Sequence, residues 1–295
     1  MALNEHDIQQ ISKILDIESV HSGDDDLRRV IEKARELPSH RSYQWVGEVA
    51  DEFADIENRK GTAGQELIAR LLLLASVDGS IWKPACHVPE AIRVELKHEQ
   101  ERIKNEVLVS PIGHYRPDKD AFLKDFSILR GAAMPVYTGI VDTHTSLWRR
   151  PLVFGPTSQR LRFLSVLLTR PMGSRYFFQH HTHTSLLKRF NEEGWIKTYR
   201  LVAELLAVNP DHKGFCGASW FYDPQLEDVS PRLVYLAEYP LARGAKWFHL
   251  GEDHSGSALS KSRTRIALYE SGKYIPQSYM LVWPAKAMIN NTLSG

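Results

Sequence analysis

Apolar residues recur at helical spacing through the first third of the chain. Ile8, Ile11, Ile14 and Leu15 form one stripe, and Leu27, Val30, Ile31 and Ala34 form a second that runs up to Pro38. Between them lies a break at 21–26, where Gly23 ends one helix and an Asp caps the next. A third helix is predicted over 43–58, with Val46, Val49, Phe53 and Ile56 on one face, and a fourth over 63–77. Residues 90–107 also read as helix. They are heavily charged (Arg93, Glu95, Lys97, Glu99, Glu101, Arg102), so a solvated face is expected there. Pro84, Pro89, Pro111 and Pro117 interrupt the pattern on either side.

After Gly131 the pattern changes. The segment 136–141 is rich in β-formers, and 160–168 reads as helix. Residues 176–183 are aromatic and β-prone. Thr184 or Ser185 then caps a helix that reaches Leu206. Strands are predicted over 215–222, 246–250 and 278–283. Helices are predicted from Ser230-Pro231, with Pro at the first helical position, and over 257–270. Alternating strands and helices argue for helices packed on a mixed or parallel sheet. The fold class is therefore α/β or α+β: a helical N-terminal region, 1–130, followed by a mixed sheet flanked by helices, 131–295. The second segment is the candidate catalytic domain.

Composition narrows the function classes. Basic and acidic residues nearly cancel, for a net charge of +1, so a dedicated nucleic-acid binder is not expected. Cys86 and Cys216 stand far apart, in no metal-type pairing and no disulfide framework, which points to a reducing compartment. The first residues carry no basic and apolar leader pattern. The most apolar run, 71–77, is too short to span a bilayer. The expected setting is cytoplasmic, with a small-molecule substrate and neither nucleic acid nor membrane as partner. The helical N-terminal third is open to use as a lid, a homodimer contact or a partner site.

Three polar constellations carry candidate chemistry. The first is His180-His181-Thr182-His183. In a strand His181 and His183 share a face, so one imidazole can act as general base, or both can hold a metal with His144, Asp223 or His249. The second is the strand ending at Asp223-Pro224, since ligands of open α/β sheets sit at strand carboxyl ends. The third is Lys261, Arg263 and Arg265 at a helix start, where basic side chains strengthen an anion site. The signatures of P-loops, dinucleotide folds, α/β-hydrolases and zincins are absent.

The segment 263–274 contains Leu268-Tyr269-Glu270 with Tyr274 five residues after Tyr269, and Arg243-Gly244-Ala245 precedes a strand. On these residues, and on the strand–helix–strand–helix–strand order, 215–284 resembles the GNAT acyltransferase superfamily. The resemblance implies an acyl-coenzyme A cosubstrate and acyl transfer to an amine or similar nucleophile. It makes Tyr269 the acid that protonates the leaving thiolate. Arg243, Gly244 and Ala245, with Arg263 and Arg265, then hold the cofactor phosphates, and His181, His183 or Asp223 supplies the base. Two other readings stay open: a metal-dependent hydrolase or oxygenase built on the histidines, and a non-catalytic binding protein.

Overall fold

A computed structural model describes residues 4–16, 25–168, 176–260 and 262–293. Asn4 opens α1 (Glu5–Leu15), its side-chain oxygen accepting the His6 N–H. Residues 21–24 of the predicted break lie outside the described residues, and its last two, Asp25 and Asp26, already belong to the first turn of α2 (Asp25–Glu36). The two helices predicted over 43–58 and 63–77 are one run, α3 (Val49–Ser76), broken at Gly61 with φ 72° and ψ 178°. Only glycine enters that conformation at little cost, which is why the helix axis turns there. α4 (Glu90–Val109) and α5 (Asp120–Leu129) follow. The predicted strand over 136–141 is a hairpin: β1 (Ala133–Pro135) pairs antiparallel with β2 (Gly139–Thr145), and Tyr137 turns the chain at φ 69°.

Chain contacts define two compact units. The first is Met1–Thr143 with Thr182–Leu187, and the second is His144–His181 with Lys188–Gly295. The division falls within β2, after Thr143, and the first unit takes in β1, which packs on α4 and α5. The first unit's core joins α3, α4 and α5. Phe122 stacks on Phe126 at 5.5 Å and meets Phe53 edge-on at 5.6 Å. Each such ring removed from water contributes roughly 1.5–3 kcal/mol. The charged helix α4 is not uniformly solvated: Glu95 and Glu99 are buried with Ile92, Ile103 and Val107.

The second unit contains α6 (Thr157–Leu168), β3 (Phe177–Thr182), α7 (Glu192–Val208) and β4 (Gly214–Ser219). Then come α8 (Leu226–Val229), α9 (Tyr235–Leu241), β5 (Lys246–Glu252), α10 (Arg263–Glu270), β6 (Gln277–Pro284) and α11 (Ala285–Leu293). α7 starts later than predicted. Thr184–Arg189 winds as a 3-10 turn, and Asn191, not Thr184 or Ser185, caps the helix by accepting the Gly194 N–H. α10 also starts later, behind Ser262, whose hydroxyl accepts the Arg265 N–H.

The strands form a six-stranded mixed sheet in the order β1-β2-β3-β4-β6-β5. β3 and β4 are parallel and are joined by α7, as a parallel pair requires a crossover. β6 lies between β4 and β5, antiparallel to both. β4 and β6 approach so closely that a Cβ at Gly214, where φ is 154°, would collide with the Trp283 carbonyl oxygen. β3 pairs with β4 from Phe177↔Gly214 to Gln179↔Cys216, and both strands run three residues further, to Thr182 and Ser219. Phe163, Phe177, Phe248, Met280 and Val282 fill the second unit's core. Among the described residues no helix is long and apolar enough to cross a membrane.

Candidate functional site

β4 ends at Ser219, whose hydroxyl accepts the Phe221 N–H and starts the 3-10 turn Trp220–Tyr222. That turn delivers Asp223 to a buried position at the strand's carboxyl end. Its Oδ1 accepts the Gln225 N–H at 3.0 Å, and its Oδ2 accepts the Gln277 N–H of β6 at 2.9 Å. Burial pushes the carboxyl above the ordinary aspartate range, and the hydrogen bonds from Gln277 and Gln225 oppose that only in part. Asp223 is therefore a more basic carboxylate than an exposed one.

Around it β5 and β6 place His249, Gln277 and Tyr279. The Gln277 amide Nε2 donates to the Ile275 carbonyl at 3.2 Å, so its Oε1 is the acceptor for His249 Nε2 at 2.8 Å. In the neutral imidazole this puts the proton on Nε2 and leaves Nδ1 as the basic atom. The His249 ring also packs against Tyr279 at 5.1 Å. The backbone of His249 is clamped by Gln159, whose Oε1 accepts its N–H at 2.8 Å and whose Nε2 donates to its carbonyl at 3.1 Å. This clamp sits at the register shift of β5 between His249 and Gly251. Tyr274 is buried nearby. Its hydroxyl lacks a hydrogen-bond partner, and burial and then the Asp223 charge push the phenol upward.

A cavity of ≈ 100 Å³ opens beside Asp223. Leu226, Val234, Ala237, Leu241, Trp247 and Phe221 give it an apolar lining. Its charged residues are all acidic: Asp223, Glu227 and Glu238. Such a space suits a ligand with an apolar body and a positive charge.

The predicted residues do not all converge on this site. His183 lies one residue past the end of β3, so the period-two pairing with His181 does not apply. It belongs to the first unit, fully buried, with Nδ1 accepting the Ser185 N–H at 3.2 Å and Nε2 bonded to Asp125 Oδ1 at 3.0 Å. Both ring nitrogens are engaged, so it presents no free lone pair in this arrangement. His181, in the second unit, is half-buried. Arg265 is not a solvent-facing anion arm. It is buried over the Trp220 ring at 4.6 Å, donating to Ser230 Oγ and the Ala258 carbonyl. Arg243 stacks on Tyr239 at 3.7 Å and donates to its carbonyl, while Ala245 is buried and Gly244 is exposed in a turn with φ 94°. Arg263 and Tyr269 are exposed on α10, and Lys261 lies outside the described residues. Among the described residues no group of three or more His, Cys, Asp or Glu side chains is placed to hold a metal.

The first unit carries a second polar cluster. Arg102 of α4 donates to Glu99 at 2.6 Å, to Glu106 at 2.9 Å, and to the fully buried Asp125 of α5. Tyr115 OH donates to Asp125 Oδ2 at 3.0 Å, and Ser185 Oγ donates to Glu106 at 2.7 Å. Burial alone would push Asp125 up, but Arg102 and the hydrogen bond from His183 outweigh it and hold the carboxyl far below its ordinary range. Every member is satisfied, and the cluster is a structural clasp. Comparison with known proteins yields no match: no family model, curated protein or solved structure is significantly similar to this chain.

Proposed function

We propose that the second unit transfers an acyl group from a coenzyme A thioester to an amine, with Asp223 taking the amine's proton. The observation that carries this is Asp223 itself: a buried carboxylate, made more basic by burial, lining a cavity whose charged residues are all acidic. An ammonium group would be drawn in by Glu227 and Glu238 while its apolar body lies against Leu226 and Trp247. Proton transfer to Asp223 frees the nitrogen lone pair, which attacks the thioester carbonyl carbon. The C–N bond forms, the C–S bond breaks, and the departing thiolate takes a proton from a phenol or water, which is restored by the second proton leaving the nitrogen.

The order of elements supports the same reading. β4, α8 and α9, β5, α10 and β6 follow the strand–helix–strand–helix–strand order that the resemblance to GNAT acyltransferases implies. Two phenols are candidates for the acid: Tyr269, half-exposed on α10, and Tyr274, buried with its hydroxyl unpartnered. Of the three arginines assigned to the cofactor phosphates, Arg263 is the exposed one.

Thiol release from acetyl-coenzyme A in the presence of a panel of primary amines tests the proposal. Asp223→Asn is expected to lower turnover on the order of a hundredfold or more, as loss of a general base does. Tyr269→Phe and Tyr274→Phe separate the two acids, since only the true donor's variant slows release. Thiol release with no amine in the panel, or full turnover in Asp223→Asn, would overturn the assignment.

A further inference from the structure

α6 presents two opposite faces. Phe163 and Val166 turn inward to the second unit's core, while Leu161, Leu164 and Leu168 are exposed, Leu161 at 63 % and Leu168 at 80 %. At 3.6 residues per turn these three leucines fall within one narrow stripe, and Arg160 and Arg162 lie roughly 100° to either side of Leu161. Both arginines are exposed. The segment just before α6 continues the surface in kind: Trp148 and Val153 are exposed, and so are Arg149 and Arg150. Single exposed apolar residues are ordinary, but a leucine stripe bracketed by arginines is not accounted for by chance exposure.

Charge identifies the occupant. From Thr143 to Asn191 the chain contains no Asp and no Glu, while Arg149, Arg150, Arg160, Arg162, Arg170 and Arg175 all fall within it. A chain with a net charge of only +1 thus carries a wholly acid-free, basic stretch of sequence that contains α6. On the neighbouring strand β5, Lys246 and Glu252 stand exposed at opposite ends. An apolar stripe with basic flanks is the pattern of a helix lying in a membrane interface, with leucines in the acyl boundary and arginines on the phosphates.

We infer that the exposed face of α6 docks this protein on an anionic lipid surface. The contact is peripheral, and it is independent of the acyl-transfer reading. Protein partners would need a stripe of acidic residues around a matching apolar groove. An anionic bilayer offers both features at once.

Co-sedimentation of the full chain with vesicles tests this. Two compositions are compared, phosphatidylcholine alone and phosphatidylcholine with phosphatidylglycerol in equal parts. Binding is expected on the second, weak on the first, and falling with added salt. The double variant Leu161→Ser/Leu168→Ser, at two exposed positions, is expected to keep the wild-type melting temperature and to lose on the order of tenfold in partitioning or more. Failure to sediment with the anionic vesicles would overturn the inference. So would equal sedimentation of the double variant, which would reduce the effect to non-specific charge. A wild-type chain that ignores vesicles but self-associates, with the double variant monomeric, would assign the face to a second copy of the chain instead.

Discussion

At the scale of single residues, two aspartates show how opposite environments act on the same side chain. Asp125 is fully buried but faces Arg102, Tyr115 and His183, which keep it ionised. Removing it leaves the Arg102 guanidinium in a nearly closed site without its main counter-charge. Asp125→Ala is therefore expected to destabilise the first unit by about 3–5 kcal/mol, read from urea unfolding. A loss below about 1 kcal/mol would mean that Glu99 and Glu106 suffice for Arg102. At Asp223 burial outweighs the hydrogen bonds from Gln277 and Gln225 and the nearby His249, and the carboxyl is raised. A base is active only when deprotonated, so kcat/KM should fall as pH drops through the raised Asp223 value. That acid limb should lie above about pH 4, the ordinary aspartate range. The pH profile of Asp223→Asn should lack it; an unchanged limb would assign the titration to another group.

At the scale of elements, the tie between α2 and α3 depends on Asp26. It is buried in the first turn of α2 and receives Arg59 and Lys60 from α3, and the bond from Arg59 is the main reason its carboxyl falls to about 2. A depressed aspartate contributes stability above its unfolded value of 3.8 and loses it as pH falls toward about 2. Because both partners are partly exposed, Asp26→Asn should cost only about 1–2 kcal/mol at pH 7. The gap between wild type and variant should close in an acid titration between about pH 4 and pH 2; a gap constant over that range would show that the pair contributes nothing. Gly214→Ala tests a different element contact. Its Cβ would meet the Trp283 carbonyl where β4 crosses β6, so the sheet must part there. A soluble variant with the wild-type melting temperature would show that the two strands yield freely.

Local pattern carried much of this. The stripes on α2 and the first half of α3, the strand β3 and the turn held by Asp223 follow from spacing and side-chain chemistry within a few residues. What local pattern could not supply was partnership. The charges of α4 read as solvated because their partners are remote in sequence: Arg102 meets Asp125 at a separation of 23, and Glu106 meets Ser185 at 79. The same holds at the candidate site. Asp223 was visible at a strand end, but Gln277 and His249 come from β6 and β5, and Trp247 was indistinguishable from a core aromatic. Periodicity places Arg265 at a helix start without showing Trp220 beneath it.

At the scale of the whole molecule, the decisive property is where a ligand adds stability. A cosubstrate that binds only the folded second unit, present at about 100 times its dissociation constant, adds roughly 2.7 kcal/mol. For acetyl-coenzyme A this should appear as a saturable rise in melting temperature. Acyl transfer driven by a general base needs no metal, so a chelator should leave that rise unchanged. Hydrogen exchange then locates the effect. Amides of β4 and β6, and above all the Gln277 N–H that Asp223 accepts, should gain protection. The core of α3, α4 and α5 should keep its exchange rates, because those helices belong to the other unit. Protection confined to the first unit would move the ligand site away from Asp223. Melting that responds to chelator alone would discard the thioester and return the chemistry to the histidines.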